Sequence, residues 1–134
     1  MPDISDRVNR VFGPTVLCID DNAHVLELQK SILEHSGYEV LQASNGADGI
    51  SLAKDCRVEL VLLDYEMPLM TGGEVAQRLR QMRSALPIIM VSGADLPVEA
   101  ARIADCCISK TEMGTALVQE VDRLIGSQRS GKRE

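Results

Sequence analysis

The sequence predicts an α/β fold in which one parallel β-sheet carries helices on both of its faces. Short apolar runs recur along the chain, segments with helical periodicity separate them, and several runs are apolar almost throughout instead of alternating. Strands that are buried on both faces have this continuous apolar character, which is typical of parallel sheets covered by helices. The chain has 134 residues, of which 45% are apolar, and this suits one domain with one core.

The strands are predicted where apolar residues run together between polar segments. They are Thr15–Ile19, Glu39–Leu41, Val58–Leu63, Pro87–Val91 and Cys106–Ile108. Because one helical segment follows each strand, right-handed crossovers should place all of the strands parallel in a doubly wound (βα)5 arrangement.

The first two helices are predicted from caps and apolar spacing. Asn22 is a candidate N-cap of the first helix, and Gly37 is placed just past its end. The stripe predicted to face the sheet consists of Val25, Leu28 and Ile32. The second helix is predicted over Gly46–Cys56, with Ala47 and Ile50 pointing inward.

The remaining three helices have signals of the same kind. The segment Thr71–Glu74 matches a capping box and is followed by Val75, Leu79 and Met82 at helical spacing. Pro97 is suited to the first turn of a short helix over Val98–Ala104. The last helix is predicted to carry one apolar face and to end at Gly126, and that face consists of Met113, Leu117, Val121 and Leu124.

Charge and the chain ends exclude several classes of protein. The net charge of −6 argues against a nucleic-acid partner, which would favour a basic surface. No apolar run approaches the roughly 18 residues that cross a bilayer, and the N-terminal segment lacks the apolar region of a signal peptide. We therefore expect a cytoplasmic protein with no membrane partner. Residues 1–14 are predicted to be a flexible leader, 15–126 the domain, and 127–134 a polar basic tail.

The four cysteines are predicted to be reduced thiols that mostly pack as small apolar side chains. They are Cys18, Cys56, Cys106 and Cys107. Their spacing matches neither a CxxC motif nor a zinc motif, and no secretion signal indicates an oxidising compartment.

Polar side chains follow four of the five predicted strands. Asp20 and Asp21 follow the first, Asp64 the third, Ser92 the fourth and Lys110 the fifth. Ligands of open parallel sheets bind beyond the carboxyl ends of the strands, so these residues are candidates for one site. An aspartate after a strand can instead cap the next helix, but placement at four strand ends favours a functional site.

The charges of this candidate site indicate its chemistry. Three carboxylates close together cannot all stay ionised unaided, so either a shared proton or a divalent cation is expected. Oxygen ligands favour Mg²⁺, with Mn²⁺ as an alternative. Together with the Lys110 ammonium and the Ser92 hydroxyl, the acids suit phosphoryl transfer to an aspartate nucleophile.

Several stretches are similar to the receiver domains of two-component response regulators. They are VLCIDDN (16–22), ASNGADGI (43–50), LVLLDYEMPLMTGGE (60–74), PIIMVSGAD (87–95) and CISKT (107–111), and they span nearly all of residues 15–126. The resemblance implies a flavodoxin-like fold with strand order 2-1-3-4-5. It also implies a stand-alone signalling module, and not an enzyme beyond assisting its own phosphorylation and dephosphorylation.

The resemblance implies a metal site and a phosphoryl site that share one residue. Asp64 is the implied phosphoacceptor, and its donor is a phosphohistidine on a histidine kinase or histidine phosphotransfer protein. Asp20 and Asp21 are implied to hold Mg²⁺ with Asp64, and the backbone carbonyl of Glu66 to complete the protein ligands.

The resemblance also assigns the switching residues and the output surface. Lys110 is implied to pair with the phosphoryl oxygens, and Ser92 to move toward the phosphoryl group. A downstream protein target is implied to bind the surface of the fourth helix, fifth strand and fifth helix. In this chain that surface includes Val98, Arg102, Cys107 and Thr111. The family also offers homodimer formation as an expectation.

Four positions depart from the family pattern. Cys107 stands at the switch position, where an aromatic residue is usual, and Thr111 stands where a cis-proline is usual. A cis bond before threonine costs about 2.5–4 kcal/mol, so we expect a trans Lys110–Thr111 bond. Gly93 replaces the commoner alanine after Ser92. Glu66 lies two residues past the phosphoacceptor and is predicted to alter the lifetime of the acyl phosphate, either by repulsion or by reaching toward Lys110.

Two other functions remain open on the sequence alone. A pseudo-receiver that binds partners without phosphorylation is suggested by Cys107 and Thr111. A phosphatase of the haloacid-dehalogenase type would use Asp64 as nucleophile, with Glu66 at the spacing of its second acid, but it would need a cap domain. A flavodoxin-type FMN carrier is disfavoured because the loop after the first strand and the scarce aromatic residues do not suit it.

Overall fold

Five parallel strands form the central sheet, in the order β2-β1-β3-β4-β5. The computed structural model describes residues 13–93 and 95–133, with the backbone alone for 127–133. The strands are β1 (Thr15–Ile19), β2 (Glu39–Ala43), β3 (Leu60–Asp64), β4 (Ile88–Ser92) and β5 (Cys106–Ser109). The predicted fold class and strand order are confirmed, and the predicted strand limits are displaced by one or two residues at several ends.

Helices connect consecutive strands, as the crossover rule requires. They are α1 (Ala23–His35), α2 (Gly46–Asp55), α3 (Gly72–Met82), α4 (Val98–Ile103) and α5 (Met113–Arg133), with a 3₁₀ turn over Lys110–Glu112 before α5. Asn22 caps α1 by accepting hydrogen bonds from the N–H groups of His24 and Val25, as predicted. Thr71 caps α3 by accepting from the N–H of Glu74, which confirms the N-cap half of the predicted capping box.

The core has two halves, one on each face of the sheet. Successive residues of a strand point to opposite faces, so Val16 and Cys18 join one half while Leu17 and Ile19 join the other. The first half is completed by α1 and α5 and the second mainly by α2 and α3. This double burial explains the continuous apolar character of β1, β3 and β4.

Three helix positions that the sequence predicted to face the core are exposed. Leu28 is 50% exposed and Met82 is 39% exposed. Ala47 is also exposed. On α1 the buried residues are instead Leu26, Gln29 and Leu33. An amphipathic helix can carry two neighbouring stripes of apolar residues. The stripe that packs on the sheet was not recognised in the sequence because it includes the polar Gln29.

The last helix is longer than predicted. Gly126 was expected to end it, but α5 continues through Gly126 to Arg133, so this prediction was wrong. Ile125 is buried on its inner face, whereas Leu124 is only partly buried. The leader predicted at 1–14 lies outside the described residues except for Gly13 and Pro14.

The cysteines differ in their surroundings. All four are free thiols, and Cys18 is buried in the core while Cys56 and Cys107 are exposed. Core packing was therefore a correct prediction for Cys18 and a wrong one for the two exposed thiols. Across the described residues, no helix combines the length and the apolar character that crossing a membrane requires.

Candidate functional site

The three predicted acids meet at the carboxyl edge of the sheet. Asp20 directly follows β1, Asp64 ends β3, and these strands are neighbours. One carboxylate oxygen from each of Asp20, Asp21 and Asp64 can be chosen so that all lie within 4.8 Å of one another. Asp20 and Asp64 are buried, and Asp21 is exposed. The cluster thus has two oxygens in the protein interior and a third at its mouth, which can hold a metal ion.

Each buried aspartate has one satisfied oxygen and one unsatisfied oxygen. The Asn22 N–H donates to Asp20 Oδ1 at 2.9 Å, and the Glu66 N–H donates to Asp64 Oδ1 at 3.3 Å. Asp20 Oδ2 and Asp64 Oδ2 are buried and accept no hydrogen bond. Leaving a buried charged oxygen without a partner is costly, so the pair fits a cation that both oxygens contact.

The electrostatics of the pair agree with this geometry. Burial, with the nearby Asp20 carboxylate as the second cause, raises the pKa of Asp64 to about 6, against the opposing effect of Lys110. Burial also raises the pKa of Asp20, partly offset by its hydrogen bond from Asn22. Both carboxyl groups therefore resist ionisation when no cation lies between them.

Lys110 supplies the positive charge on the open side of Asp64. Its Nζ lies 3.2 Å from Asp64 Oδ1, and its side chain is 29% exposed while that of Asp64 is fully buried. Burial acts to lower the pKa of Lys110, but Asp64, Asp20 and Glu66 outweigh it and the pKa is raised. Lys110 is therefore a fixed cation within reach of any anion held on Asp64.

Ser92 ends β4, one position beyond the register partner of Asp64 on the neighbouring strand. Its hydroxyl donates to Glu66 Oε1 at 2.9 Å, and the N–H of Gly93 donates to the same oxygen at 2.8 Å. Sequence reasoning identified Glu66 as unusual but expected it to reach toward Lys110 or to repel a phosphoryl group. The hydrogen bonds from Ser92 and Gly93 were missed, because the conformation of the loop decides which groups a flexible glutamate side chain contacts.

The loop after Asp64 is shaped by close backbone contacts. The N–H groups of Met67 and Gly72 both donate to the Tyr65 carbonyl, at 3.2 and 2.9 Å. Leu69 has a φ of 71°, in the left-handed region, and its side chain is fully exposed. The loop thereby holds the backbone of Glu66 next to the acid cluster, although a metal contact of its carbonyl stays a prediction.

The residues that depart from the family pattern lie around the same carboxyl edge of the sheet. Cys107 is exposed, and it lines a surface cavity together with Ser92, Gly93 and Ser109. Partial desolvation of the thiol raises the pKa of Cys107. No peptide bond in the described part of the chain is cis, so the Lys110–Thr111 bond is trans as expected.

Comparison with known proteins points to one family. A family model described as "Response regulator receiver domain" matches residues 16–122 of this chain. The polar-differentiation response regulator DivK of Brucella anthropi is 30% identical over 119 residues, which cover 84% of this chain and 96% of that protein.

Other similarities concern longer proteins and solved structures. The autoinducer 1 sensor kinase/phosphatase LuxN of Vibrio campbellii is 36% identical over 81 residues, which are 60% of this chain but only 10% of LuxN. The chain thus corresponds to a small part of that relative. A CheY-like response regulator receiver domain protein from Methanospirillum hungatei superposes with a TM-score of 0.82 at 27% identity, covering 88% of this chain and 98% of that one.

Proposed function

Because this chain belongs to the response regulator receiver domain family of two-component signalling, we propose that it accepts a phosphoryl group on Asp64. The family is a signalling module and not a classical enzyme family. The observation that carries the proposal is the position of the Asp64 carboxylate, buried at a strand end between an acid cluster and the Lys110 ammonium. An aspartate in these surroundings is oriented and electrostatically prepared for a phosphorus centre.

In the proposed reaction, one carboxylate oxygen of Asp64 attacks the phosphorus of a phosphohistidine. The O–P bond forms while the P–N bond breaks, and the electron pair of that bond remains on the imidazole nitrogen. Lys110, at 3.2 Å from Asp64, neutralises charge on the transferred oxygens. Ser92 is one strand away and can supply a hydrogen bond to the same group once its hydroxyl turns toward it.

We propose Mg²⁺ as the cation of the acid cluster, with Mn²⁺ as an alternative. The two partnerless buried oxygens of Asp20 and Asp64 and the nearby Asp21 form the all-oxygen donor set that a hard divalent cation prefers. The backbone carbonyl of Glu66 is the proposed fourth protein ligand. Mg²⁺ at this place would neutralise charge on the incoming phosphoryl group, while the carboxylates fix its position.

The proposed phosphoryl donor is a histidine kinase or a histidine phosphotransfer protein in the cytoplasm. The proposed output surface lies on α4, β5 and α5, where Val98 is 60% exposed and Cys107 is exposed. A downstream protein target, or a second copy of the chain, would bind there when the loop after β4 changes conformation. Such a local charge change that biases a two-state loop is a common way to switch a binding surface.

The decisive experiment measures the intact mass of the protein after incubation with Mg²⁺ and acetyl phosphate. We expect one added phosphoryl group, none without Mg²⁺, and none in Asp64→Asn, which preserves shape but removes the nucleophile. Release of free phosphate is measured in parallel, so that a short-lived adduct is detected as turnover. If neither adduct nor turnover appears, phosphorylation at Asp64 is rejected in favour of the pseudo-receiver interpretation.

A further inference from the structure

Two hydrogen-bond donors converge on one oxygen of Glu66. The Ser92 hydroxyl lies 2.9 Å from Glu66 Oε1 and the Gly93 N–H lies 2.8 Å from it. Both donors sit at the end of β4, beside the strand that carries Asp64. A hydroxyl and a backbone N–H directed at one point form a small anion-binding site. In this structure the anion is a side chain of the protein itself.

The same space borders Lys110. A Cβ atom placed on Gly93 would lie 3.6 Å from Glu66 Oε1 and 3.9 Å from Lys110 Cδ. Lys110 in turn contacts Asp64 at 3.2 Å. Glu66 and Lys110 therefore both border the end of β4, and Lys110 also contacts Asp64, so an anion attached to Asp64 would approach the same region.

We infer that Glu66 is an internal competitor of the phosphoryl group, and that its carboxylate must leave Ser92 and Gly93 before they can bind phosphoryl oxygens. Ser92 has one hydroxyl proton and Gly93 one amide proton, so neither can fully serve two anions. Displacing Glu66 would free the loop after β4, so that phosphorylation and loop movement become one event. The inference rests on the proposed phosphorylation of Asp64 and adds a residue that opposes it.

The competing explanation is that Glu66 acts through its negative charge alone. Two substitutions separate the possibilities. Glu66→Asp keeps the charge but is one methylene shorter, so its carboxylate no longer reaches the end of β4. Glu66→Gln removes the charge but keeps the length and a weaker, neutral acceptor. Asp55→Asn, at the end of α2, is a control that removes one charge at the opposite edge of the sheet.

The first measurement needs no phosphorylation. In ¹H–¹⁵N spectra of the resting protein, we expect the Gly93 amide proton of Glu66→Asp to move upfield because its hydrogen bond to a carboxylate is lost. The parent and Asp55→Asn should agree. If Gly93 keeps its parent resonance in Glu66→Asp, the hydrogen bond does not hold the loop and the inference is overturned.

The second measurement is the affinity for beryllofluoride, a phosphoryl analogue, titrated with Mg²⁺ present. Because hydrogen bonds to charged groups are worth more than neutral ones, we expect about tenfold tighter binding in Glu66→Asp and a smaller gain in Glu66→Gln. If Glu66→Gln alone binds more tightly, charge is sufficient and the inference is overturned. If the parent and all variants bind beryllofluoride equally, only the inference about Glu66 is overturned. If neither the parent nor any variant binds beryllofluoride, the proposed function fails as well.

Discussion

At the scale of single residues, the main feature of the site is the unfavourable electrostatic interaction of two carboxylates. Asp20 and Asp64 are both buried, and each keeps one oxygen without a hydrogen bond. Lys110 contacts only one of them directly among the ion pairs of the described residues. Holding these two carboxylates in place for a cation therefore lowers the free energy of unfolding of the metal-free protein.

This cost predicts that Asp64→Asn stabilises the metal-free protein. The pKa of Asp64 is raised from 3.8 to about 6, so the folded protein binds this proton more readily than the unfolded chain does. At pH 7.5 the substitution should increase the free energy of unfolding by about 1–3 kcal/mol, measured by urea denaturation with EDTA. Because the parent gains stability as the pH falls from about 6 toward 4, the difference should shrink there. A less stable variant at pH 7.5 would contradict this account.

The site was predictable where strand ends fix a residue and not where a loop does. Asp20 and Lys110 directly follow strands, and Asp64 and Ser92 end strands, so the topology alone brought them to one edge. The contact of Glu66 with Gly93 could not be predicted, because it depends on the path of the loop after β3. Sequence patterns predict the ends of strands well and the conformations of loops poorly.

At the scale of elements, the beginning of α3 packs unusually close to the end of β3. A Cβ atom on Gly72 would lie 2.6 Å from the Asp64 carbonyl oxygen and 2.6 Å from Tyr65 Cα. Both are backbone atoms, which cannot turn aside. A Cβ on Gly73 would meet nothing nearer than 3.6 Å. Of these two glycines, Gly72 is thus the one that the close approach of α3 and β3 requires.

These neighbouring glycines make a matched pair of substitutions. Gly72→Ala should lower the free energy of unfolding by about 1–3 kcal/mol, because the backbone of β3 has to shift. Gly73→Ala should be neutral or stabilise by up to about 1 kcal/mol, since alanine favours the helix. Thermal unfolding of both variants tests this, and equal effects would show that the close approach is not what constrains Gly72.

Arg80 on α3 fastens three segments on one face of the sheet. Its guanidinium donates to the carbonyls of Ile103 and Leu86 and pairs with Asp105 at 2.7 Å. The Asp105 carboxylate also accepts from the N–H of Ile88 at 2.8 Å.

Removing these contacts should destabilise the protein locally and globally. Arg80→Ala is expected to cost about 1–3 kcal/mol, because partly buried carbonyl groups lose their donors. Arg78→Ala, on an exposed position of the same helix, is the control and should stay within about 0.5 kcal/mol of the parent. Chemical denaturation measures both, and a near-neutral Arg80→Ala would show that water replaces the guanidinium.

Helix orientation marks the limit of prediction at this scale. Caps such as Asn22 and Thr71 were predictable because one side chain satisfies local N–H groups. The buried stripe of α1 was predictable only in part, since Val25 and Ile32 pack partly buried against the core while Leu28 between them is exposed. Which stripe packs is decided by the shape of the sheet and of α5, which no local pattern contains. The strand order likewise came from family resemblance, because no local pattern shows which strands are neighbours in the sheet.

At the scale of the whole molecule, the acid cluster couples metal binding to folding. Its ligands come from the ends of β1 and β3, so they are close together only when these strands are paired. Any cation that binds the folded chain but not the unfolded one must increase the stability of the fold.

We expect Mg²⁺ at about 100 times its dissociation constant to add about 2.7 kcal/mol to the free energy of unfolding. Asp20→Asn should lose most of this increment because one of the two interior ligands becomes a neutral amide, whereas Asp55→Asn should keep it. Thermal unfolding across a Mg²⁺ titration measures the increment. The same increment in Asp20→Asn would place the cation elsewhere.

The strand order also has a consequence for the chain as it leaves the ribosome. β1 is made first, yet it is an inner strand that pairs with β2 and β3, while β5 is made last and pairs only with β4. Pairing of β1 with β3 can thus bring Asp20 to Asp64 before Lys110 has been synthesised. During that interval the two carboxylates have no ammonium beside them, and water, a proton or a cation has to satisfy them. The ammonium that contacts Asp64 is thus the last part of the site to be synthesised.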